Sequence, residues 1–450
     1  MPVALIAMGA FIAILLIWSV LLKRSMAEGM IIGFLVTTLF GGSQMLQYLY
    51  VGIQSSASDV IVYAAVGFVF MAYLISEVGI MQRILDFLNS FLGRLRGGPA
   101  YVDTVGSAVM GALAGSNAGN AAATGAVTAP WMMDHGFSPK RAGTIVAGNS
   151  SMGAALPPSN SMVIMLGFAA GTVSHGSVYL ALLITGLYQL LYRFVLVGYF
   201  AKKDGIRKTD PAELTPIRTS WKYGWKPSLV YLGAVIPIVL TIGPVAAFFE
   251  NHMNLGDSLE NISIMIWIPT LIVLLACIVG FKALPKNIKS VHKFVSKSMP
   301  RASEIGVLLF FAIAAANVFV ELGIGDDVES LLEGVEVPSW GMVIIVTIVL
   351  VAAAGPLTGA PAVAALGQVS MLTLIAAGIH PVLAIVIVLM ATSTEGQSPP
   401  ASAPAFISAG LVQVNPPSLF KPLVIFYLLP VLLMTILVGT GILPVPLGGN

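Results

Sequence analysis

Cysteine and charge are both scarce in this sequence. Its single cysteine, Cys277, stands inside an apolar run, which excludes a disulfide framework and a cysteine-held metal site. Only 9% of the 450 residues are charged and 57% are hydrophobic. Soluble domains carry about 25% charged residues, so a soluble globular protein is excluded. The formal charge of +2 gives no electrostatic footprint for nucleic acid. No H-E-x-x-H, G-x-S-x-G or Walker-type phosphate loop is present, which argues against an enzyme and against an energy source within the chain. The five histidines, at 135, 175, 252, 292 and 380, are scattered in loops and at helix ends. What is abundant is apolar sequence in runs close to the length of a membrane helix, with a mean hydropathy of +0.93. The fold class is an all-α polytopic membrane protein.

Candidate spans cover 3–22, 27–46, 59–82, a hairpin over 99–133, a broken span 139–174 and 177–200. A basic linker, 202–226, follows. The second series is 227–248, 262–281, 302–321, a hairpin over 338–378, a broken span 380–412 and 420–443. Alternating sides place Lys23, Arg24, Arg83, Arg94, Arg96, Lys140, Arg141, the linker, 282–301 and Lys421 together. Arg193 alone falls within a span, near the same side, to which it can snorkel. The opposite loops hold acids but no Lys or Arg, so the basic side is cytoplasmic and the N-terminus outside.

Residues 1–201 and 227–443 then share one order of elements in opposite orientation. Each contains a re-entrant hairpin and a discontinuous span. Pro157-Pro158 matches Pro399-Pro400, and the same offset carries Ser116 onto Thr358 and Asn149 onto Ala391. Inverted repeats with interrupted helices at matching places mark secondary transporters, with binding near the mid-membrane repeat interface. Segments 83–97 and 322–336 precede the hairpins. The first reads as an amphipathic helix lying on the membrane surface, or as an arm between a scaffold and a moving domain.

The breaks are rich in neutral oxygens. Ser116, Asn117 and Asn120 at the first hairpin tip, with Asn149, Ser150 and Ser151 at the first helix break, suit a dehydrated cation such as Na+. Thr358 at the second tip, with Thr392, Ser393, Thr394 and Glu395 at the second break, forms the second candidate cation site. Ser159, Asn160, Gln397 and Ser398 lie where a substrate would sit between them. Glu395 stands out because a charge at mid-membrane costs roughly 3 kcal/mol on insertion scales. It is read as an ionised Na+ ligand, as a proton carrier, or as a neutral residue hydrogen-bonded in the core.

Gly115-Ser-Asn-Ala-Gly-Asn120, Thr124-Gly125, Pro130-Trp-Met132 and His135-Gly-Phe-Ser-Pro139 resemble the large membrane subunit of TRAP (tripartite ATP-independent periplasmic) transporters, within the ion transporter superfamily. Pro157-Pro158-Ser159, Gly378-Ile-His-Pro381 and Pro399-Pro400 resemble that family's later signatures. The resemblance implies Na+-coupled uptake of a small organic acid, with H+ an alternative coupling ion, by an elevator movement in a bacterial or archaeal inner membrane. It also implies a small four-helix membrane partner and an extracytoplasmic substrate-binding protein. The second hairpin tip, Gly355-Pro-Leu-Thr-Gly-Ala-Pro361, and Glu395 depart from the family pattern. The alternative function is a self-sufficient ion-coupled carboxylate transporter or antiporter of the same superfamily.

The charge asymmetry generates a topology test. A cysteine placed after Gly256 should react with a membrane-impermeant thiol reagent from outside, and one in the 202–226 linker only from the cytoplasmic side. The opposite accessibility would overturn the assignment of sides.

Overall fold

The computed structural model describes residues 2–114, 117–169, 172–209, 216–241, 245, 248, 263–332, 337–357, 359–399 and 402–447. The architecture is helical, with no strand among the described residues. Among the described residues, four helices are long and apolar enough to cross a membrane: Val60–Glu77, His175–Lys203, Ile288–Glu321 and Pro417–Gly439. Shorter apolar helices, among them Val3–Leu16, Met26–Leu39 and Ile264–Val279, pack around them.

Two boundaries differ from the sequence reading. The run read as one span over 27–46 ends at Leu39, because a short 3-10 turn, Gly42–Gln44, begins with Gly42 at φ +55°. A further helix, Met45–Ser58, fills what was read as loop. It lies against Ile288–Glu321, with Gly52 so close to the Ala314 carbonyl and the Phe34 ring that a side chain would not fit. The span read as 302–321 is the end of a 34-residue helix, Ile288–Glu321. Its basic first half is helical because Asn287 and Ser290 close a capping box at its start.

Both hairpins are pairs of helices: Gly98–Ala114 with Asn117–Asp134, and Ser339–Leu357 with Gly359–Ala376. Each ends in the same turn. Gly136 (φ +97°) and Gly378 (φ +85°) take left-handed conformations. Around them Phe137 N donates to Met132 O and Ile379 N to Leu374 O, each at 3.0 Å. This Schellman closure needs a residue tolerant of positive φ, which glycine supplies.

A proline then starts each broken span. The first runs Pro139–Ser150, Met152–Ala155, an extended stretch through Leu156, and Asn160–Ala169. The second runs Pro381–Thr392, a 3-10 segment Ser393–Gln397, and Ala403–Leu411. Pro139–Ser150 packs against Ala403–Leu411, and Asn160–Ala169 against Pro381–Thr392. The two broken spans are therefore antiparallel, the start of each beside the end of the other, and their interruptions meet. Almost every residue from Ala142 to Leu166 and from Val382 to Ser398 is buried. Irregular backbone at membrane depth is viable only in such a protein-covered position.

Ile80–Leu92 is amphipathic, burying Ile80, Met81, Ile84 and Leu85 and exposing Gln82, Arg83 and Asp86. Its apolar face lies on the first hairpin, where Leu85 presses on Gly106, and its aromatic residues Phe87 and Phe91 meet Trp221 of the linker helix Ile217–Gly224. Basic loops converge nearby. Arg141 forms a bidentate pair with Asp204 (2.7 and 3.2 Å), and Arg96 Nε donates to Ile206 O at 2.6 Å. Elsewhere, Asp327 Oδ2 accepts from Ala4 N at 2.8 Å and Leu5 N at 3.3 Å, capping the first helix with a negative charge.

A close backbone approach lies between the first hairpin and the first break. A Cβ on Gly111 would come within 2.4 Å of Gly153 Cα and 2.6 Å of Gly153 N. Gly111→Ala is expected to destabilise by about 1–3 kcal/mol through overpacking. Gly9→Ala, with nothing within 4 Å of the added carbon, should leave the melting temperature unchanged or raise it. Thermal denaturation of the two purified variants checks this, and equal Tm values would refute the close packing.

Candidate functional site

The face of Asn117–Asp134 turned toward the first break carries polar residues at helical spacing: Asn117, Asn120, Thr124 and Thr128, all buried. They form a ladder. Asn120 Nδ2 donates to Ser107 O (2.8 Å) in the other hairpin arm and to Ser150 O (3.0 Å) at the first break. Thr124 Oγ1 donates to Asn120 Oδ1 at 3.0 Å. Thr128 Oγ1 lies 3.0 Å from the Thr124 carbonyl and 2.5 Å from Asp103 Oδ1. Asp103 Oδ2 accepts from Asn149 Nδ2 at 2.8 Å, and the same amide reaches Thr104 Oγ1 at 3.0 Å.

The hairpin tip also reaches the second break. Asn117 Nδ2 donates to Glu395 Oε2 at 2.9 Å, with the two side chains only 4% and 7% exposed. Gln397 Nε2 donates to Gly148 O at 3.2 Å and hydrogen-bonds Ser151 Oγ. Gly396 faces Ser150 and Ser151. The residues assigned by sequence to two cation sites and to a substrate site are thus brought into one buried neighbourhood: Asn117, Asn120, Asn149, Ser150, Ser151, Glu395 and Gln397. Ser116 and Thr358 lie outside the described residues.

The remaining candidates sit on the breaks and hold the backbone. Thr392, Ser393 and Thr394 each donate to a carbonyl in the preceding turn, Val388 O, Met390 O and Ala391 O, at 2.6–2.8 Å. A hydroxyl used in this way keeps its oxygen lone pairs for a cation or another donor. Ser398 Oγ donates to Thr394 O at 2.9 Å. Ser159 Oγ accepts from Met162 N at 3.2 Å and so caps the half-helix that starts at Asn160, which is itself buried.

Arg193 corrects the sequence reading. It does not snorkel: it is 0% exposed. Its Nη2 reaches Ser151 Oγ at 3.0 Å and Gly148 O at 3.4 Å, and its Nη1 donates to Gln189 Oε1 at 3.0 Å. The interrupted helix provides acceptors in the interior for the terminal nitrogens, which hold the guanidinium there although its Nε has no partner among the described residues. Asp103 is the other residue the sequence reading passed over. A lone carboxylate in an apolar hairpin arm was itself the available signal.

Three amide oxygens in this neighbourhood, Asn117 Oδ1, Asn149 Oδ1 and Gln397 Oε1, are buried without a hydrogen-bond partner among the described residues. Their amide nitrogens are committed to a carboxylate or carbonyl, so the acceptor ends remain. Oxygen acceptors with nearby carboxylates are the donor set of a hard cation. No group of three or more His, Cys, Asp or Glu suited to a metal occurs among the described residues.

The family profile described as "Tripartite ATP-independent periplasmic transporter, DctM component" matches residues 2–443. The isethionate TRAP transporter permease protein DctMQ of Oleidesulfovibrio alaskensis is 21% identical over 94% of this chain and 63% of its own length. The C4-dicarboxylate TRAP transporter large permease protein DctM of Pseudomonas aeruginosa is 30% identical over 28% of this chain and 29% of its own. The matched stretches thus span less than two thirds of either relative. Among solved structures, the YdaH transporter of Alcanivorax borkumensis superposes with a TM-score of 0.63 at 16% identity, over 90% of each chain. That likeness concerns the fold alone.

Asn120→Ala would strip donors from the Ser107 and Ser150 carbonyls and an acceptor from Thr124. A loss of about 1–3 kcal/mol per buried group left unsatisfied is expected. Urea or thermal unfolding in detergent checks this, and a variant as stable as the wild type would show that the ladder does not hold the break.

Proposed function

We propose a function from one premise: this chain belongs to the DctM-component family of the tripartite ATP-independent periplasmic transporters, as a large permease. Within that family we infer Na+-coupled transport of a small organic acid across a bacterial or archaeal inner membrane. The partners are a small four-helix membrane subunit and an extracytoplasmic substrate-binding protein, and the N-terminus lies outside. The organic-acid reading is supported by relatives whose names specify isethionate and C4-dicarboxylates.

The observation that carries the coupling is the Asn117–Glu395 hydrogen bond. It ties the tip of the first hairpin to the second break and leaves Asn117 Oδ1 beside a carboxylate. Na+ would be held there by Asn117 Oδ1, Glu395 and the Thr392–Thr394 oxygens. Asn149 Oδ1 and Gln397 Oε1 offer further ligands near the first break. A cation at this junction neutralises the site and fastens the hairpin tip onto the breaks, which readies the unit to move with its anionic cargo.

An inverted repeat is supported by the common order of elements in the two halves and by the antiparallel broken spans. An elevator movement is supported by the amphipathic helix Ile80–Leu92, which contacts the first hairpin on one side and the linker helix on the other. That geometry favours an arm over a plain surface anchor.

Purified protein in lipid nanodiscs should be stabilised by Na+ but not by equal K+. Asn117→Ala and Glu395→Gln should each raise the half-saturating Na+ concentration roughly tenfold, about 1.4 kcal/mol of cation binding. Equal stabilisation by K+, or wild-type Na+ dependence in both variants, would place the coupling ion elsewhere. A pH dependence abolished in Glu395→Gln with Na+ affinity intact would assign Glu395 to proton transfer instead.

A further inference from the structure

The geometry points to a binding site for a small organic anion between the tip of the first hairpin and the helices Val60–Glu77 and Ile288–Glu321. A cavity of about 170 Å³ lies there, with Tyr73 and Ser76 on one helix, Lys297 and Arg301 on the other, and Met110 and Gly119 from the two hairpin arms. The volume corresponds to roughly six water molecules, enough for the acidic end of a small organic acid. The inference rests on the organic-acid reading and names the residues that would recognise the charge.

The need for such residues follows from where cations are missing. Neither hairpin contains a lysine or arginine, and neither does the second broken span. Arg193, the buried cation of the candidate site, directs its terminal nitrogens to Gly148 O, Ser151 and Gln189. An anion held near the hairpin tip must therefore find its positive charge on a neighbouring helix. Lys297 and Arg301 stand four residues apart, on one face of their helix, and both line the cavity. Neither forms a salt bridge among the described residues. The acids Glu304, near Arg301, and Glu77, near Tyr73, stand close by without entering ion-pair distance.

Tyr73 supplies an independent observation. Its hydroxyl is buried and has no hydrogen-bond partner among the described residues. Its ring is fixed edge-on against Phe294 at 5.0 Å. A phenol lining the same cavity as Lys297 and Arg301 is a donor for a carboxylate or sulfonate oxygen, and charge-assisted bonds from the lysine and arginine would complete the recognition. The far wall of the cavity is the hairpin. Gly119 is two residues from Asn117, whose amide holds Glu395. Anion recognition by Lys297, Arg301 and Tyr73 is thereby placed beside the cation cluster, in a cavity whose shape changes whenever the hairpin moves against these helices.

The test uses the full chain in nanodiscs with Cys277→Ala and Ser76→Cys, which puts one thiol in the cavity. The thiol should react faster with anionic 2-sulfonatoethyl methanethiosulfonate than with its cationic trimethylammonium analogue. Lys297→Gln and Arg301→Gln should each lower that ratio roughly tenfold, as loss of a nearby unit charge requires. Millimolar succinate or isethionate should slow the anionic reagent, and Tyr73→Phe should weaken the protection while leaving the charge-dependent ratio intact. A ratio indifferent to both charge substitutions, or a rate slowed by neither anion, would overturn the site. The assay reads no transport and no Na+ binding, so failure of the coupling reading leaves this result standing, and failure here leaves the coupling reading intact.

Discussion

Hydrocarbon offers no hydrogen bond, so every backbone group released by an interrupted helix must find a partner inside the protein. Most of what is distinctive in this fold follows from that constraint. The carbonyl of Gly148 is served by Ser151, Arg193 and Gln397, which come from three different elements. The carbonyl of Ser150 is served by the hairpin through Asn120, and that of Gly396 by Ser402 across the second break. The first interruption is completed largely by groups from outside its own span, so the first hairpin, both breaks and His175–Lys203 form one mutually dependent unit. Removing any of these elements would leave carbonyls without donors. The same dependence explains why the polar residues are amides and hydroxyls. They can satisfy a carbonyl at one atom and still present an oxygen at another.

The parts of this arrangement that were legible in the sequence are those written as interruptions. Gly-Ser-Asn and Gly-Asn-Ser-Ser clusters, paired prolines and Gly-x-x-Pro turns punctuate apolar runs, and the structure places helix ends at or near them. The helix Met45–Ser58 was not legible for the complementary reason. Its boundary is a glycine turn in a run without prolines or charges, and its Gln and Ser residues read as loop although tertiary packing on Ile288–Glu321 holds them helical. The direction of Arg193 was hidden as well. A charged residue near a helix end has two ways to be satisfied, by water at the membrane surface or by broken backbone inside, and spacing alone does not distinguish them. Only the packing of His175–Lys203 against Met152–Ala155 decides it. Asp103 differs again: a lone carboxylate in an apolar hairpin arm is visible in the sequence, but the amide and hydroxyl that hold it, Asn149 and Thr128, come from other helices.

The way charge is housed in this interior leads to the final step. Asp103, Glu395 and Arg193 are all buried near the breaks, and each is held by a side-chain amide. Asn149 serves Asp103, Asn117 serves Glu395, and Gln189 and Gln397 share the surroundings of Arg193. A directly paired arginine and carboxylate would be self-sufficient, and its desolvation cost would offset most of its attraction while leaving little to offer a ligand. Placing amides between the charges has another consequence. Asn117, Asn149 and Gln397 turn their donor ends to a carboxylate or carbonyl and leave an oxygen without a partner among the described residues, whereas Gln189 turns its oxygen to Arg193. Carboxylates here outnumber the guanidinium two to one, so the neighbourhood favours an added positive charge. A cation that fills the unmet oxygens would bind hairpin tip to break through contacts the protein cannot make alone. On the Na+-coupled reading proposed above, ion occupancy would fasten the hairpin tip onto the breaks, which is the physical requirement for coupling.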